Sequence, residues 1–80
     1  MGIAMTPLLP KVPVHSTNLE AVGYDPQTAH LQVTFQSGPT YDYFGVPPQA
    51  YQGLLAAKSK SHFLSTLIKP RFRHAPRQAR

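Results

Sequence analysis

The sequence predicts a small α+β domain of order βββαα, a three-stranded antiparallel meander followed by two amphipathic helices packed on one face of it. Three observations carry this. Leu31, Val33 and Phe35 alternate with Gln32, Thr34 and Gln36, the period of two that marks a strand with one buried face. After Pro47-Pro48 the apolar spacing changes to that of a helix. Two amphipathic helices need an apolar surface to cover, and the Leu31/Val33/Phe35 face supplies it.

Residues 1–15 precede the domain as a Pro-rich extended arm. Pro7, Pro10 and Pro13 recur at every third position with Leu8, Leu9, Val12 and Val14 between them, which suits polyproline II. The domain spans residues 16–69. Its first strand is Asn18–Tyr24, in which Leu19 and Val22 share a face only through a bulge. Asp25-Pro26-Gln27-Thr28 is a turn, because Pro presets φ for the first central position. The second strand ends at Ser37-Gly38-Pro39, and Thr40–Val46, rich in aromatic residues, is the third. Phe44 and Val46 are expected to pack inward, which turns Tyr41 and Tyr43 outward beside Gln32, Thr34 and Gln36. The other reading, both tyrosines in the core with wet hydroxyls, stays open.

Pro47-Pro48 opens the first helix, since the first helical positions have no intrahelical use for their N–H groups. Tyr51, Leu54, Leu55 and Lys58 follow helical spacing. Gly53 costs this helix ~1 kcal/mol relative to Ala and is tolerable only with tertiary support or a close contact there. Ser59 or Ser61 caps a second helix whose face is Phe63, Leu64, Leu67 and Ile68, and Pro70 stops it. Residues 70–80 form a basic C-terminal tail.

Eighty residues make one domain at most, and a chain of this size buries only ~60% of the surface that its unfolded form exposes. The absence of Cys excludes disulfides, thiolate metal sites and cysteine nucleophiles. The apolar runs fall far short of the ~20 residues that cross a bilayer, and no secretion signal is evident, so a cytoplasmic protein with no membrane partner is expected. Charge is lopsided. Residues 1–42 carry Lys11 against Glu20, Asp25 and Asp42, net −2, whereas residues 43–80 carry seven Lys or Arg and no acid, net +7. Such a stretch suits an anionic partner, and its plainer use is as a solubilising tail.

One ordered set of residues has a further meaning. Ser16-x-Asn18, Gly23-Tyr24-Asp25, Leu31-x-Val33-x-Phe35, Gly38, Tyr41-x-Tyr43-x-Gly45-Val46-Pro47, Tyr51-x-x-Leu54-Leu55-Ala56-Ala57, Ser59-Lys60, Phe63 and Ile68-Lys69 together resemble the KTSC family over residues 16–72. That family is a short module named for the C-terminus of some lysyl-tRNA synthetases and also found as a stand-alone bacterial or phage protein. The resemblance implies a nucleic-acid-binding role, drawn from the synthetase fusion. The chain departs from the pattern at Ser61, Ser65 and Pro70, where the family tends to have Gly, Asn and Gly.

The inventory for catalysis is thin. Glu20, Asp25 and Asp42 show no pairing suited to a general acid and base, and His15, His30, His62 and His74 lack metal-ligand spacing, so no enzyme, metal or cofactor is expected. The candidate binding set is Tyr41, Tyr43, Lys58, Lys60, Lys69, Arg71 and Arg73. Tyrosines at i and i+2 of a strand stand ~7 Å apart, about the spacing of splayed bases, and cations interleaved with aromatic residues grip phosphates. The expected function is a non-catalytic nucleic-acid-binding accessory module, with RNA or single strands favoured. The alternative is a small adaptor that assembles with itself or with a larger protein complex through its arm and tail. A third reading is a binder of a small phosphorylated nucleotide.

Overall fold

The computed structural model describes residues 9–77. One antiparallel sheet holds five strands in chain order: β1 (Val12–Pro13), β2 (Leu19–Asp25), β3 (His30–Phe35), β4 (Thr40–Phe44) and β5 (Arg73–Pro76). Between β4 and β5 run α1 (Pro48–Ala56) and α2 (Lys60–Phe63), the latter continuing as a π-helical turn over Leu64–Ile68.

The α+β class stands, but the three-stranded βββαα arrangement is corrected to five strands. The flanking segments each add an edge strand, with Val12 opposite Val22 at one side and His74 opposite Tyr43 at the other. In a three-stranded sheet β2 and β4 would each expose a row of unpaired backbone groups, and a chain this short uses its own flanks to pair them. Of the prolines expected to form a polyproline arm, Pro13 lies in β1, and Pro7 falls outside the described residues.

Register decides which residues share a face. Val33 is opposite Tyr41 and Val22, and Leu31 is opposite Tyr43 and Tyr24. Glu20 is the extra residue of a bulge between Leu19 and Ala21, so Leu19 and Val22 both reach the core with no exposed surface. Leu54, Leu64 and Ile68 descend from the helices onto these residues, and Val46 joins them where the chain turns after β4. Tyr51 lies flat on Tyr24, ring centroids 4.7 Å apart, and the Tyr24 hydroxyl donates to the Val46 carbonyl.

The helices have local causes. Pro48 opens α1, and Ser59 Oγ accepts the His62 N–H at 3.4 Å to cap α2. Gly53 admits the Phe63 ring, whose Cζ would lie 2.7 Å from an added Cβ. Past Phe63 the ladder widens: Lys69 N–H bonds to the Leu64 carbonyl at 2.7 Å, while the Ser65 and Thr66 hydroxyls both donate to the His62 carbonyl. This change of pitch leaves Leu67, expected on the buried face, 42% exposed.

The second face of the sheet is covered too. Residues 9–11 cross it, with the Leu9 N–H donating to Gln32 Oε1 at 3.0 Å. Gln32, expected on a wet polar face, has no exposed surface. Beside it His30 Nε2 meets Asp42 Oδ1 at 2.8 Å, Phe44 stacks on the His30 ring, and Arg77 approaches the other carboxylate oxygen at 3.7 Å.

Residues 9–11 pass close enough to exclude a side chain at position 23, where a Cβ would sit 2.6 Å from the Pro10 carbonyl oxygen. Gly→Ala in a strand ordinarily gains a few tenths of a kcal/mol through the unfolded state. Here Gly23→Ala should instead destabilise by about 1–3 kcal/mol in urea melts and strip exchange protection from the Leu9 amide. An unchanged midpoint would show that the crossing segment yields freely.

Candidate functional site

An open groove of about 770 Å³ runs between the β3–β4 end of the sheet and the segment formed by α2 and its π-turn. The sheet wall presents Asn18, Phe35, Gln36, Ser37, Pro39 and Tyr41, with Tyr43 at the floor. The opposing wall presents Ser61, His62, Leu64, Ser65 and Lys69. One wall is therefore aromatic and amide in character, and the other hydroxyl, imidazole and ammonium. Among the described residues no carboxylate lines it.

The two tyrosines do not form an outward platform. Because Tyr41 and Tyr43 are opposite Val33 and Leu31, they lie on the helix-covered face, and Tyr43 is only 1% exposed. Phe44, expected inward, is on the other face and 40% exposed. The physical reason is that β4 is amphipathic in both senses, and cross-strand register with β3 made the choice. Tyr41 remains half-buried at the groove's rim, with Phe35 edge-on to it at 5.6 Å. His74 on β5 stacks on Tyr43 at 5.3 Å and leans against Tyr41 at 6.4 Å. Sequence reasoning left His74 in a tail; the alternation Arg73-His74-Ala75-Pro76 offers no apolar period to betray a strand. The Ser65-Thr66 pair before Pro70 was the available signal that the second helix is irregular.

Burial, then the neighbouring Tyr41, pushes the Tyr43 phenol up to about 12. Burial also raises Tyr51, and burial followed by the Asp25 charge raises Tyr24.

The cations divide among three places. Lys69 lines the groove. Lys58 and Lys60 line a second hollow with His15, Ser16, Thr17, Ser59 and Ser61, and Ser61 borders both, so the two openings are neighbours. Arg71 and Arg73 flank a shallow hollow with Pro70, Phe72 and His74, away from the groove's walls. Arg73 is opposite Phe44 and so starts from the sheet's second face. The structure thus brings Tyr41, Tyr43 and Lys69 together, places Lys58 and Lys60 in the neighbouring hollow, and leaves Arg71 and Arg73 apart. Arg80 lies outside the described residues. Among the described residues no group of three or more metal-ligating side chains gathers, and no helix is long and apolar enough to cross a membrane.

A family model, that of the KTSC domain, matches residues 15–72. A protein of Tsukamurella paurometabola is 48% identical over 61 residues, covering 76% of this chain and 91% of that one. A lysine–tRNA ligase of Nostoc punctiforme is 34% identical over 55 residues, which are 69% of this chain but correspond to 10% of the ligase. The crystal structure of a KTSC domain protein from Yersinia pestis matches at 35% identity with a TM-score of 0.81, covering 89% of this chain and 100% of that chain.

Tyr43 yields a pH test. Its folded value exceeds the ordinary phenol value, so above pH ~10 the unfolded chain has released a proton that the native chain retains. Stability is full below that point and falls as pH rises through about 12, by up to ~1.4 kcal/mol per pH unit. Urea melts across this range should show the decline, and Tyr43→Phe should remove its largest share. Tyrosinate absorbance developing wholly near pH ~10 in the native protein would contradict the burial of this phenol.

Proposed function

The chain belongs to the KTSC domain family, and from that membership together with the groove's two unlike walls we propose that it is a non-catalytic nucleic-acid-binding module that takes a single strand of RNA. The observation that carries the reading is the division of chemistry across the groove. Bases need π-faces and hydrogen-bonding edges, and the sheet wall offers the Phe35 and Tyr41 rings and the Asn18 and Gln36 amides. Phosphates need cations and donors, and the opposing wall offers Lys69, His62, Ser61 and Ser65, continuing to Lys58 and Lys60.

The distribution of charge supports the same reading. Asp42 is buried on the other face and engaged by His30 and Arg77, so its charge does not face the groove. Arg71 and Arg73 add positive potential from the flank, which steers an anionic chain toward the site without contacting it there. The sharing of this module with a lysine–tRNA ligase favours RNA as the polymer. Within the tyrosine pair Tyr41 offers a rim for one base, and Tyr43 acts as floor.

Three lysine contacts to a single strand give a slope of log K against log salt of about −2. Fluorescence anisotropy with a short labelled RNA should recover that slope. Lys69→Ala should flatten it by about 0.7 and weaken binding, with the melting curve unchanged because Lys69 is exposed. Affinity indifferent to salt would overturn the proposal, as would equal loss on substituting Lys11 at the far side of the sheet.

A further inference from the structure

The hollow that adjoins the groove at Ser61 has a composition of its own. It measures about 370 Å³ and is lined by His15, Ser16, Thr17, Lys58, Ser59, Lys60 and Ser61, drawn from two segments far apart in sequence. Among the described residues it has no carboxylate and no apolar side chain in its lining, whereas the groove has Phe35, Pro39 and Leu64.

Its polar groups are arranged as donors. Ser16 Oγ accepts the backbone N–H groups of Asn18 at 3.2 Å and Leu19 at 3.1 Å, which occupies its lone pairs and leaves its O–H to donate. Ser59 Oγ likewise accepts the His62 N–H. Lys60 Nζ donates to the Ala57 carbonyl at 3.0 Å, which anchors the ammonium at the hollow's wall with two further hydrogens to give. Lys58 brings a second ammonium. A donor-rich hollow with two ammoniums suits an acceptor-only anion of high charge density.

We propose that this hollow receives a terminal phosphate monoester of the bound strand, resting on the reading that a strand occupies the adjoining groove. A monoester carries nearly two charges at neutral pH and three terminal oxygens, against one charge and two free oxygens for a phosphodiester inside the chain. A continuous strand passing through would use only part of this donor set. A strand that ends there uses it fully, and the hollow adjoins the groove at Ser61.

The test compares short RNAs of one sequence carrying a 5′-phosphate, a 3′-phosphate, or hydroxyls at both ends, each titrated by anisotropy at the same salt. One phosphorylated end should bind about tenfold more tightly than the hydroxyl-ended strand. Lys58→Met and His15→Gln, both at exposed positions, should each shrink that ratio toward unity, whatever they do to absolute affinity. Equal binding of all three RNAs would overturn the terminal site while leaving strand binding intact. Binding of none would overturn both. A nucleoside monophosphate that binds as tightly as the phosphorylated strand would overturn the strand in the groove, and with it the proposal that the bound phosphate is a strand's end.

Discussion

Gln32 lies at the centre of the sheet with no exposed surface, and its side-chain oxygen accepts the backbone N–H of Leu9. A primary amide buried without partners costs a few kcal/mol, so the segment before β1 has to cross this face. The same argument holds for Asp42, whose carboxylate is met by His30 from β3 and by Arg77 from beyond β5. Polar groups buried on the second face therefore draw in both flanks of the chain. Lys11 and Arg77 arrive near one carboxylate, and burial followed by the Arg77 charge holds the Lys11 ammonium below its usual value. The edge strands follow from that recruitment, because the segments that satisfy the face lie alongside β2 and β4.

This closure bears on self-assembly. An adaptor that pairs through an open sheet edge needs a free, regular strand. Here the edges are two and four residues long, and each contains a proline, Pro13 in β1 and Pro76 in β5. Short proline-bearing edges are poor templates for another chain. The groove keeps cations and hydrogen-bonding side chains turned to solvent.

Two irregularities build that groove. The bulge at Glu20 lets β2 deliver Leu19 and Val22 to the same core, which brings the Ser16–Asn18 turn down beside the helices. The π-turn after Phe63 keeps Leu64 and Ile68 in the core while Ser65 and Lys69 face the opening. A π segment is a costly local choice that persists where packing on one side and chemistry on the other both require it. The stack of His74 on Tyr43 closes the floor from the edge strand, worth ~0.5–1.5 kcal/mol beyond the area it covers.

Much of the fold was legible locally. Alternation marked β3, the change of period marked the helices, the proline pair and a cap at Ser59 or Ser61 marked their starts, Gly53 called for tertiary support or a close contact, which Phe63 supplies, and Leu19 with Val22 required a bulge. The ordered motifs carried the family. Of the site, the lysines of the second helical segment were legible as a basic set, since their neighbours contain no acid. What alternation cannot say is which of a strand's two faces is covered. It places Tyr41 and Tyr43 opposite Asp42 and Phe44, and either pair suits a core. The choice came from register with Val33 and Leu31, a contact between strands that no window of sequence contains. The edge strands escaped for a related reason: two and four residues with a proline have no period, and they form where β2 and β4 offer unpaired backbone groups to flanks already drawn in by Gln32 and Asp42. Local sequence sets the conformation a segment prefers, and long-range pairing and burial decide what that segment faces.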